Sequence, residues 1–366
     1  MFIVIGSAFL LLYALIVFYI GWSGWRWMTP ILSLRFRIVY SIMLVFLACS
    51  FMLARVFEGS VLLSIIGSYW LAMFSLLLML LPIVHLITWL TRLAPLPRHA
   101  VHRWSGVITL ILLAGLMAYG SFNAYTPYVR SYDIAIDKKG SDSGELNVVM
   151  ASDMHFSYLS GKKHAMRMVE EINKLKPDIV LFPGDIIDDD IVPYVDQGIG
   201  PILAEIQSTY GVYASLGNHD RYHGEMDALI DLLEESGMNI LYDESIEVNG
   251  WLTLIGRKDY SEEERADLAS LTQAVDLTKP LILLEHQPRE YDIAQQQGVD
   301  LVVSGHTHRG QIAPGNLLTN RLFENDWGYL RKEQLHTIVT SGYGFWGPPI
   351  RIGSRSEIVH ITLTFS

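Results

Sequence analysis

Residues 146–155 read LNVVMASDMH, an apolar segment followed by a carboxylate and, two residues later, an imidazole. The apolar run predicts a buried β-strand. Side chains at positions i and i+2 of a strand point to the same side, so we expect Asp153 and His155 to reach one point just beyond the strand end. Two such side chains suit two ligands of one metal ion.

The composition differs sharply between the parts of the chain before and after residue 130. Residues 1–130 contain eight Arg, no Lys and a single acid, Glu58, whereas the rest carries 19 basic and 37 acidic residues. An acidic region of this size repels phosphate backbones, so we expect no nucleic-acid partner. The single cysteine, Cys49, excludes an intrachain disulfide.

Four segments before residue 122 are long and apolar enough to cross a membrane, which takes about 20 apolar residues. They cover approximately residues 2–22, 38–56, 61–90 and 104–121. We therefore predict a four-helix transmembrane anchor over 1–121, a connector over 122–145 and a separate domain over 146–366. His85 lies within the third span, and we expect a neighbouring helix to satisfy its ring.

The arginines predict the orientation of the anchor. Arg26, Arg35 and Arg37 lie between the first two spans and Arg92, Arg98 and Arg103 between the last two, while the middle loop has Arg55 and Glu58. Positive residues concentrate on the cytoplasmic side of membranes. The pattern therefore predicts a multi-pass protein with both termini, and the domain after residue 146, on the extracytoplasmic side.

Residues 146–366 alternate short apolar strands with helical segments, which is typical of an α/β layered domain. Strands are predicted at 146–151, 179–182, 212–215, 281–284 and 301–303, and helices near 161–175, 198–208, 223–236, 262–274 and 289–297. A hairpin near 246–256 and a β-rich tail over 336–365 indicate mixed sheets. Ligands of such sheets bind outside the carboxyl ends of the strands, which is where the polar clusters fall.

Five polar clusters follow the predicted strands. They read DMH at 153–155, GD at 184–185, GNHD at 217–220, EHQP at 285–288 and GHTH at 305–308. Carboxylate, amide and imidazole ligands without thiolate suit Mn, Fe, Zn, Co or Ni. Seven such ligands suffice for two ions about 3.5–4 Å apart, an arrangement used for phosphoester displacement by a hydroxide shared between the ions.

In order and spacing, these clusters resemble the calcineurin-like metallophosphoesterase superfamily, whose pattern is D-x-H, G-D, G-N-H-D/E, a lone His and G-H-x-H. The resemblance covers roughly residues 147–311. The tail, SGYGFWGPP at 341–349 and on through Arg351 to Arg355, is also similar to the membrane-associated bacterial branch. The resemblance implies a metallophosphoesterase catalytic domain over 146–366, with the fold class α/β, a layered sandwich of two mixed β-sheets flanked by helices.

The resemblance also implies a role for each site residue. It assigns the first metal to Asp153, His155, Asp185 and His308, and the second metal to Asp185, Asn218, His286 and His306. Asp185 then bridges the two ions. His219 is expected to protonate the leaving oxygen, and Asp220 to orient His219. Gly184, Gly217 and Gly305 are expected to leave space for backbone and metals to approach closely, and to allow the positive φ angles that such turns often need.

Other polar residues have two interpretations each or fit no cluster. Asp188, Asp189 and Asp190 form either a solvated acidic turn or, at Asp188, a support for the site. Arg309 either contacts substrate phosphate or forms a surface salt bridge. Residues 343–349 either line a substrate groove or form a packed loop. We expect structural or surface roles for His164, His223, His336 and His360.

Together these features predict a membrane-anchored enzyme with two divalent metal ions that hydrolyses phosphoester bonds. An enzyme that acts on a soluble substrate does not need four membrane spans. We therefore expect the substrate to be a lipid-linked or cell-envelope phosphoester or pyrophosphate. One alternative is a phosphatase or phosphodiesterase for soluble nucleotides or phosphoproteins, with the spans used only for localisation. A second alternative, a non-catalytic receptor or scaffold, requires a degraded metal site, and no ligand position is replaced here.

Overall fold

A computed structural model describes residues 2–57, 60–140, 144–221 and 226–366. The chain divides into two compact units. The first contains the residues up to Ser121 together with Gly347–Pro349, and the second contains Phe122–Trp346 with Ile350–Ser366.

Long helices form the first unit. They are α1 (Phe2–Met28), α2 (Leu34–Val56), α3 (Val61–Leu90) and α4 (Arg98–Tyr125). Each contains a stretch long and apolar enough to cross a membrane. Helices α2 and α4 begin four or more residues before the predicted spans 38–56 and 104–121. The added first turns contain arginines, whose long stems allow the charged groups to reach the lipid headgroups.

His85 on α3 is surrounded by aromatic side chains of α1. Its Nδ1 atom lies 2.7 Å from the hydroxyl oxygen of Tyr19. The rings of Tyr19, Trp22 and Trp27 stand edge-on to the imidazole, with centroids 5.3 to 6.3 Å away. A neighbouring helix therefore satisfies this ring, which is the structural role expected for it.

Two six-stranded mixed sheets form the second unit. The first has the order β1-β12-β2-β3-β4-β5, in which β2 to β5 are parallel and β12 is antiparallel to β2. Its strands are β1 (Tyr128–Ile136), β2 (Glu145–Met150), β3 (Ile179–Pro183), β4 (Val212–Ser215), β5 (Met238–Ile240) and β12 (Glu357–Phe365).

The second sheet has the order β10-β11-β9-β8-β7-β6, with parallel strands in the middle and antiparallel strands at both edges. Its strands are β6 (Glu244–Val248), β7 (Leu252–Gly256), β8 (Leu281–Leu284), β9 (Leu301–Ser304), β10 (Gly328–Lys332) and β11 (Leu335–Val339). The predicted sandwich of two mixed sheets is confirmed.

Short helices cover the outer faces of the sheets. They are α5 (Lys162–Lys174), α6 (Val192–Asp196), α7 (Ile199–Leu203), α8 (Met226–Glu235), α9 (Leu268–Thr272) and α10 (Tyr291–Gln296). A further helix, α11 (Gly315–Leu322), has no buried residue. One apolar core lies between the sheets and includes Val148, Leu181 and Leu284. Two others lie between each sheet and its helices. These cores fix the strand ends on which the polar clusters stand.

The predicted connector over 122–145 contains a strand of the first sheet. Strand β1 pairs in parallel with β12 over its whole length. Every second residue of its sequence, YVRSYDIAI, is exposed, but the inward positions include Tyr128, Arg130 and Tyr132, and only Ile134 and Ile136 are fully buried. The pattern therefore carried a weak strand signal, and pairing with the distant C-terminal strand decides its conformation.

A buried ion network lies at the end of β8, beside the fourth polar cluster. The carboxylate of Glu285, 1% exposed, accepts hydrogen bonds from Arg257 at 3.2 Å and from Arg265. Both guanidinium groups also bind Glu290, at 2.8 and 2.9 Å. The network ties the loop that follows β7 to the loop that follows β8.

Glu285→Ala is expected to lower the free energy of unfolding by about 3–5 kcal/mol, because it removes one carboxylate from a buried network and leaves two guanidinium groups on the other. Denaturant unfolding of the purified chain in detergent would measure the change. Glu263→Ala, at an exposed position, is the matched control and should stay within about 0.5 kcal/mol. A similarly small change for Glu285→Ala would contradict this account of the network.

Candidate metal centre

The five polar clusters lie in loops that follow β2, β3 and β4 of the first sheet and β8 and β9 of the second. These strands run parallel within each sheet, so their carboxyl ends lie at one edge. The loops bring the clusters together at this edge of the sandwich.

The first group of side chains consists of Asp153, His155 and His308, whose ligand atoms all lie within 4.8 Å of one another. The Nε2 atoms of the two histidines are 3.1 Å apart. His308 Nε2 also lies 3.4 Å from Asp153 Oδ1. Two imidazole nitrogens and a carboxylate that converge in this way form a ligand set for a divalent cation.

The second group consists of Asp185, His286 and His306, again with ligand atoms within 4.8 Å of one another. His286 Nε2 lies 3.1 Å from Asp185 Oδ2. The amide oxygen of Asn218 joins this group, because Asn218 Oδ1 lies 2.8 Å from His306 Nδ1. The structure therefore brings all seven residues predicted as metal ligands into two adjacent groups.

Asp185 connects the two groups through one oxygen atom. Its Oδ2 atom lies 3.1 Å from His286 Nε2 and 3.6 Å from His155 Nε2. Its Oδ1 atom accepts a hydrogen bond of 2.8 Å from the backbone N–H of His219. Although burial opposes its charge, the neighbouring His286 and His155 hold the pKa of Asp185 below its ordinary value. Asp185 is therefore an ionised carboxylate that faces both groups.

The donor atoms of the two groups fit divalent cations. Asp153 Oδ2 is buried and, within the described ranges of the chain, has no hydrogen-bond partner. His286 Nδ1 lies 2.9 Å from the carbonyl oxygen of Pro183, which accepts its proton and leaves the lone pair of Nε2 directed at Asp185. Although burial opposes the charge, Asp185 and Asp153 raise the pKa of His286 well above its usual value. This position therefore requires a cation, either a proton or a metal.

The site residues share an unusual backbone conformation. The angle φ is positive at Asp153, His155, Asp185, His306 and His308, with values from 44° to 69°. Strand β2 ends at Met150, so the first two residues converge through a left-handed loop and not through the strand alternation that the sequence predicted. Such residues cost about 1–3 kcal/mol each and persist where surrounding structure holds them. Here hydrogen bonds from Asp153 N and His155 N to the loop after β3 do so.

All three predicted glycines are required for close approach, and Gly184 is also required for its backbone angle. A Cβ atom on Gly217 would lie 2.2 Å from Asp185 Oδ1, and one on Gly305 would lie 2.2 Å from Asp153 Oδ2. Of the three, Gly184 alone has a positive φ, +83°, and its Cβ would lie 2.5 Å from His286 Nδ1. The positive φ that glycine allows is therefore used at Gly184 and not at Gly217 or Gly305.

His219 and Asp220 have different partners from those expected. His219 Nδ1 lies 2.9 Å from Asp189 Oδ1, and the imidazole ring lies 5.1 Å from that of His155. Asp220 is fully buried, and its oxygens accept backbone hydrogen bonds at 2.8 to 2.9 Å from the loop after β3 and from Gly217. The expectation that Asp220 orients His219 is therefore wrong. Asp220 holds the turn together, and Asp189 orients the ring.

Charges around His219 stabilise its protonated form. Partial burial opposes the charge, but the hydrogen bond to Asp189 and the carboxylates of Asp185 and Asp188 raise the pKa of His219 to about 9. Burial lowers the pKa of an imidazole but raises that of a carboxyl group. Desolvation, together with the charge of the nearby Asp185, raises the pKa of Asp220 to about 7. The turn that carries these two residues thus combines a charged imidazole with a hydrogen-bonded buried carboxyl group.

Asp188 supports the first group, which was one of the two interpretations of the acidic turn. Asp188 Oδ1 lies 3.3 Å from His155 Nδ1. A carboxylate at this nitrogen fixes the ring and makes the other nitrogen a better metal ligand. The role of Asp189 was not predicted, because sequence spacing does not specify which of two adjacent acids meets which histidine.

Asp188→Asn is expected to weaken metal binding by about 10–100-fold, because the amide holds His155 less firmly and lowers its basicity. Titration of the chelated chain with Mn²⁺ would measure the affinity. Asp190→Asn makes the same change in the same turn, where Asp190 accepts a hydrogen bond from Val192 N, and should leave the affinity unchanged. Equal affinities for the two variants would contradict the role of Asp188.

Arg351 is a second unpredicted neighbour of the centre. Its side chain is fully buried, donates to the carbonyl oxygen of Gly344 at 2.6 and 3.0 Å, and places a nitrogen 3.1 Å from His308 Nδ1. It is 43 residues from His308 in the chain, so no local pattern could have paired them. Arg351 fixes the position of the His308 ring and of the loop at Gly344.

The loop over 343–349 contains both buried and exposed aromatic residues. Tyr343 and Phe345 are buried, as expected for a packed loop. Trp346 is 54% exposed, and its ring lies 5.6 Å from that of His219. It is therefore an aromatic residue at the open side of the centre.

The remaining predicted residues lie outside the two ligand groups. The guanidinium carbon of Arg309 lies 3.7 Å from the ring centre of Trp327, so this side chain stacks on an aromatic ring. His164 packs on Tyr343, His336 lies 2.8 Å from the hydroxyl of Tyr329, and His360 lies 2.5 Å from Asn147 Oδ1, all structural contacts. His223 lies outside the described residues.

Comparisons with known proteins agree with the clusters. The family described as calcineurin-like phosphoesterase matches residues 146–310. The chain is 34% identical over 266 residues to an uncharacterized metallophosphoesterase of Campylobacter jejuni, which covers 70% of this chain and 69% of that protein. It is 34% identical over 263 residues to an uncharacterized metallophosphoesterase of Aquifex aeolicus, and the match covers 68% of this chain and 96% of that protein. It is 32% identical over 274 residues to a transmembrane protein with metallophosphoesterase domain of Danio rerio. That match covers 70% of this chain and 62% of the other protein.

Proposed function

Because this chain belongs to the calcineurin-like phosphoesterase family and is a metal-dependent phosphoesterase, we propose that it hydrolyses phosphoester bonds of a lipid-linked or cell-envelope substrate at a membrane. Its apolar helices integrate it into a membrane, as the relationship to transmembrane proteins supports. The observation that carries the chemistry is the single carboxylate oxygen of Asp185 that faces both groups of ligands.

The ligand sets of the two cations follow from the two groups. Asp153, His155, His308 and Asp185 would hold one ion, and Asp185, Asn218, His286 and His306 the other. When bound, a pair of divalent cations neutralises the phosphoryl oxygens and lowers the pKa of a shared water toward about 7. The identity of the metals is a separate proposal: the mixed oxygen and nitrogen donors favour Mn, Fe, Zn, Co or Ni.

His219 is positioned to act on the leaving group. Its Nδ1 atom is bound to Asp189, which directs the other ring nitrogen away from the acidic turn. The ring adjoins the first ligand group and the exposed Trp346. An imidazole in this position can donate a proton to the departing oxygen, which an alkoxide needs and an acidic phenolate does not. Asp220 contributes indirectly by holding the turn that carries His219.

The lipid-linked substrate is supported by the anchor and by chain connectivity. Helix α4 ends at Tyr125, and strand β1 begins at Tyr128. The domain that carries the centre is therefore tied to the membrane by a very short segment of chain. A phosphoester held in the bilayer is available to such a domain at high effective concentration.

A substrate panel tests this proposal. The purified full chain in nanodiscs, loaded with Mn²⁺, would be supplied with phospholipids, polyprenyl phosphates and polyprenyl pyrophosphates, and separately with soluble nucleotides and phosphopeptides. We expect higher kcat/KM for a lipid-linked class than for any soluble one. Activity confined to nucleotides or phosphopeptides would refute the lipid substrate while leaving the phosphoesterase chemistry in place.

The extracytoplasmic location of the domain is also a proposal. It is supported by Arg26 in the last turn of α1 and by Arg35 and Arg37 at the start of α2. Arg92, Arg98 and Arg103 lie likewise around the connection from α3 to α4. The side chain of Arg55, at the end of α2, and all of Glu58, in the loop that follows, lie outside the described residues. A topology reporter fused after Ser366 tests the orientation. Signal from a reporter that works only in the cytoplasm would overturn it.

A further inference from the structure

Helix α11 (Gly315–Leu322) exposes its three leucines and contacts the domain through polar side chains. Leu317, Leu318 and Leu322 are 69%, 61% and 61% exposed, and no residue of this fully described helix is buried. At 3.6 residues per turn, these leucines and Arg321 occupy one continuous arc of the helix surface. We call these four residues the leucine face. A surface helix of a soluble domain normally shows the opposite arrangement.

The polar face of α11 binds the rest of the domain. Thr319 Oγ1 donates to Asp326 Oδ2 at 2.8 Å, and Asn320 Nδ2 lies 3.3 Å from Asp326 Oδ1. The backbone oxygen of Asp326 in turn accepts from Thr307 Oγ1 at 2.7 Å. These hydrogen bonds fix the rotation of the helix, so the leucine face points away from the domain.

The N-terminus of α11 is seated directly on the loop that carries the last two metal ligands. A Cβ atom on Gly310 would lie 2.1 Å from the carbonyl carbon of Gly315, and one on Gly315 would lie 2.5 Å from the oxygen of Gly310. Backbone contact this close requires glycine at both positions. The start of the helix is therefore packed backbone to backbone against Gly310, two residues after the metal ligand His308.

We propose that the leucine face lies in the interface of the lipid bilayer, as a second membrane contact beside the four spans. Exposed leucines on one side of a short helix suit the boundary between headgroups and acyl chains. Arg321 on the same face complements lipid phosphate, with its long stem lying along the apolar surface.

The bilayer is favoured over a protein partner by two observations. The domain is tied to a membrane-spanning helix by the short segment between Tyr125 and Tyr128, so the domain stays near a bilayer. The leucine face also includes the positive charge of Arg321, which anionic lipid headgroups match. A second copy of the chain, or another protein, is an outcome that the test separates.

Spin labelling measures the surroundings of the leucine face directly. Cys49 is the single cysteine of the chain, so Cys49→Ser provides a background for unique labels. The full chain with Leu318→Cys or Leu322→Cys would be nitroxide-labelled and placed in nanodiscs of phosphatidylcholine and phosphatidylglycerol. Ile246→Cys is the matched control, since Ile246 is also exposed, on β6, at the opposite edge of the second sheet from β10.

Accessibility to oxygen and to a water-soluble chromium chelate gives the result. Labels in lipid collide more with oxygen and less with the chelate, so we expect a clear increase in the oxygen-to-chelate ratio at 318 and 322 relative to 246. A ratio equal to that at 246 would overturn the proposal. So would a loss of both accessibilities, which indicates coverage by protein. Hydrolysis is not measured, so the result is independent of the substrate proposed above.

Discussion

Asp185→Asn is expected to abolish metal-dependent phosphoester hydrolysis, with a loss of at least about 10³-fold in kcat. The reason is that Asp185 Oδ2 faces His286 and His155 at once, so one charged oxygen serves both ligand groups. An amide oxygen has no charge and is too weak a ligand to be shared by two cations. The measurement is kcat of the purified chain on bis(p-nitrophenyl) phosphate at saturating Mn²⁺, with metal content determined on the same samples.

The matched control for this prediction is Asp190→Asn. It removes the same charge from the exposed end of the same loop, where the side chain accepts a backbone hydrogen bond from Val192. We expect nearly unchanged kcat and metal content. If Asp185→Asn retained the activity and metal content of this control, the shared-carboxylate centre would be wrong.

His219→Ala is expected to lower kcat by about 10²–10⁴-fold for alkyl phosphoesters and much less for p-nitrophenyl esters. The ring is held by Asp189 beside the first ligand group, where it can protonate a departing alkoxide. A p-nitrophenolate leaves without a proton. Metal content should not change, because the ring is outside both ligand groups. Paired assays of one alkyl and one aryl diester measure the difference.

Asp189→Asn separates proton donation from simple disruption of the loop. Asp189 touches the ring of His219 and none of the metal ligands predicted here. We expect the same dependence on the leaving group with a smaller loss, about 10-fold, because the ring stays but is less firmly oriented. Equal losses on alkyl and aryl esters, for either variant, would exclude the proposed role of His219.

Much of the fold and of the ligand set could be predicted because the information is local. Each ligand cluster directly follows an apolar strand, and strands of an α/β sheet deliver their carboxyl ends to one edge. The pairs Asp153 with His155 and His306 with His308 are therefore readable from adjacent residues. How Asp153 and His155 converge could not be predicted from the sequence, because the left-handed conformation of the loop after β2 depends on hydrogen bonds to the loop after β3.

The supporting contacts could not be predicted because they depend on tertiary packing. Asp189 and Asp220 are equally plausible partners of His219 in sequence, and the direction of each carboxylate follows from the turn that carries it. Arg351 reaches His308 from a loop far along the chain. Strand β1 was missed for the same reason, since its partner is the C-terminal strand. The reversed polarity of α11 is visible only once Asp326 is placed beside it.

The central claim is that two divalent cations share Asp185 in one active centre, and a metal titration tests it most directly. The full chain in nanodiscs would be stripped with a chelator and titrated with Mn²⁺ while hydrolysis of bis(p-nitrophenyl) phosphate is followed. We predict that activity is absent without metal and rises until two equivalents per chain are bound, then stays constant. Full activity at a single equivalent, or in the stripped chain, would contradict the account.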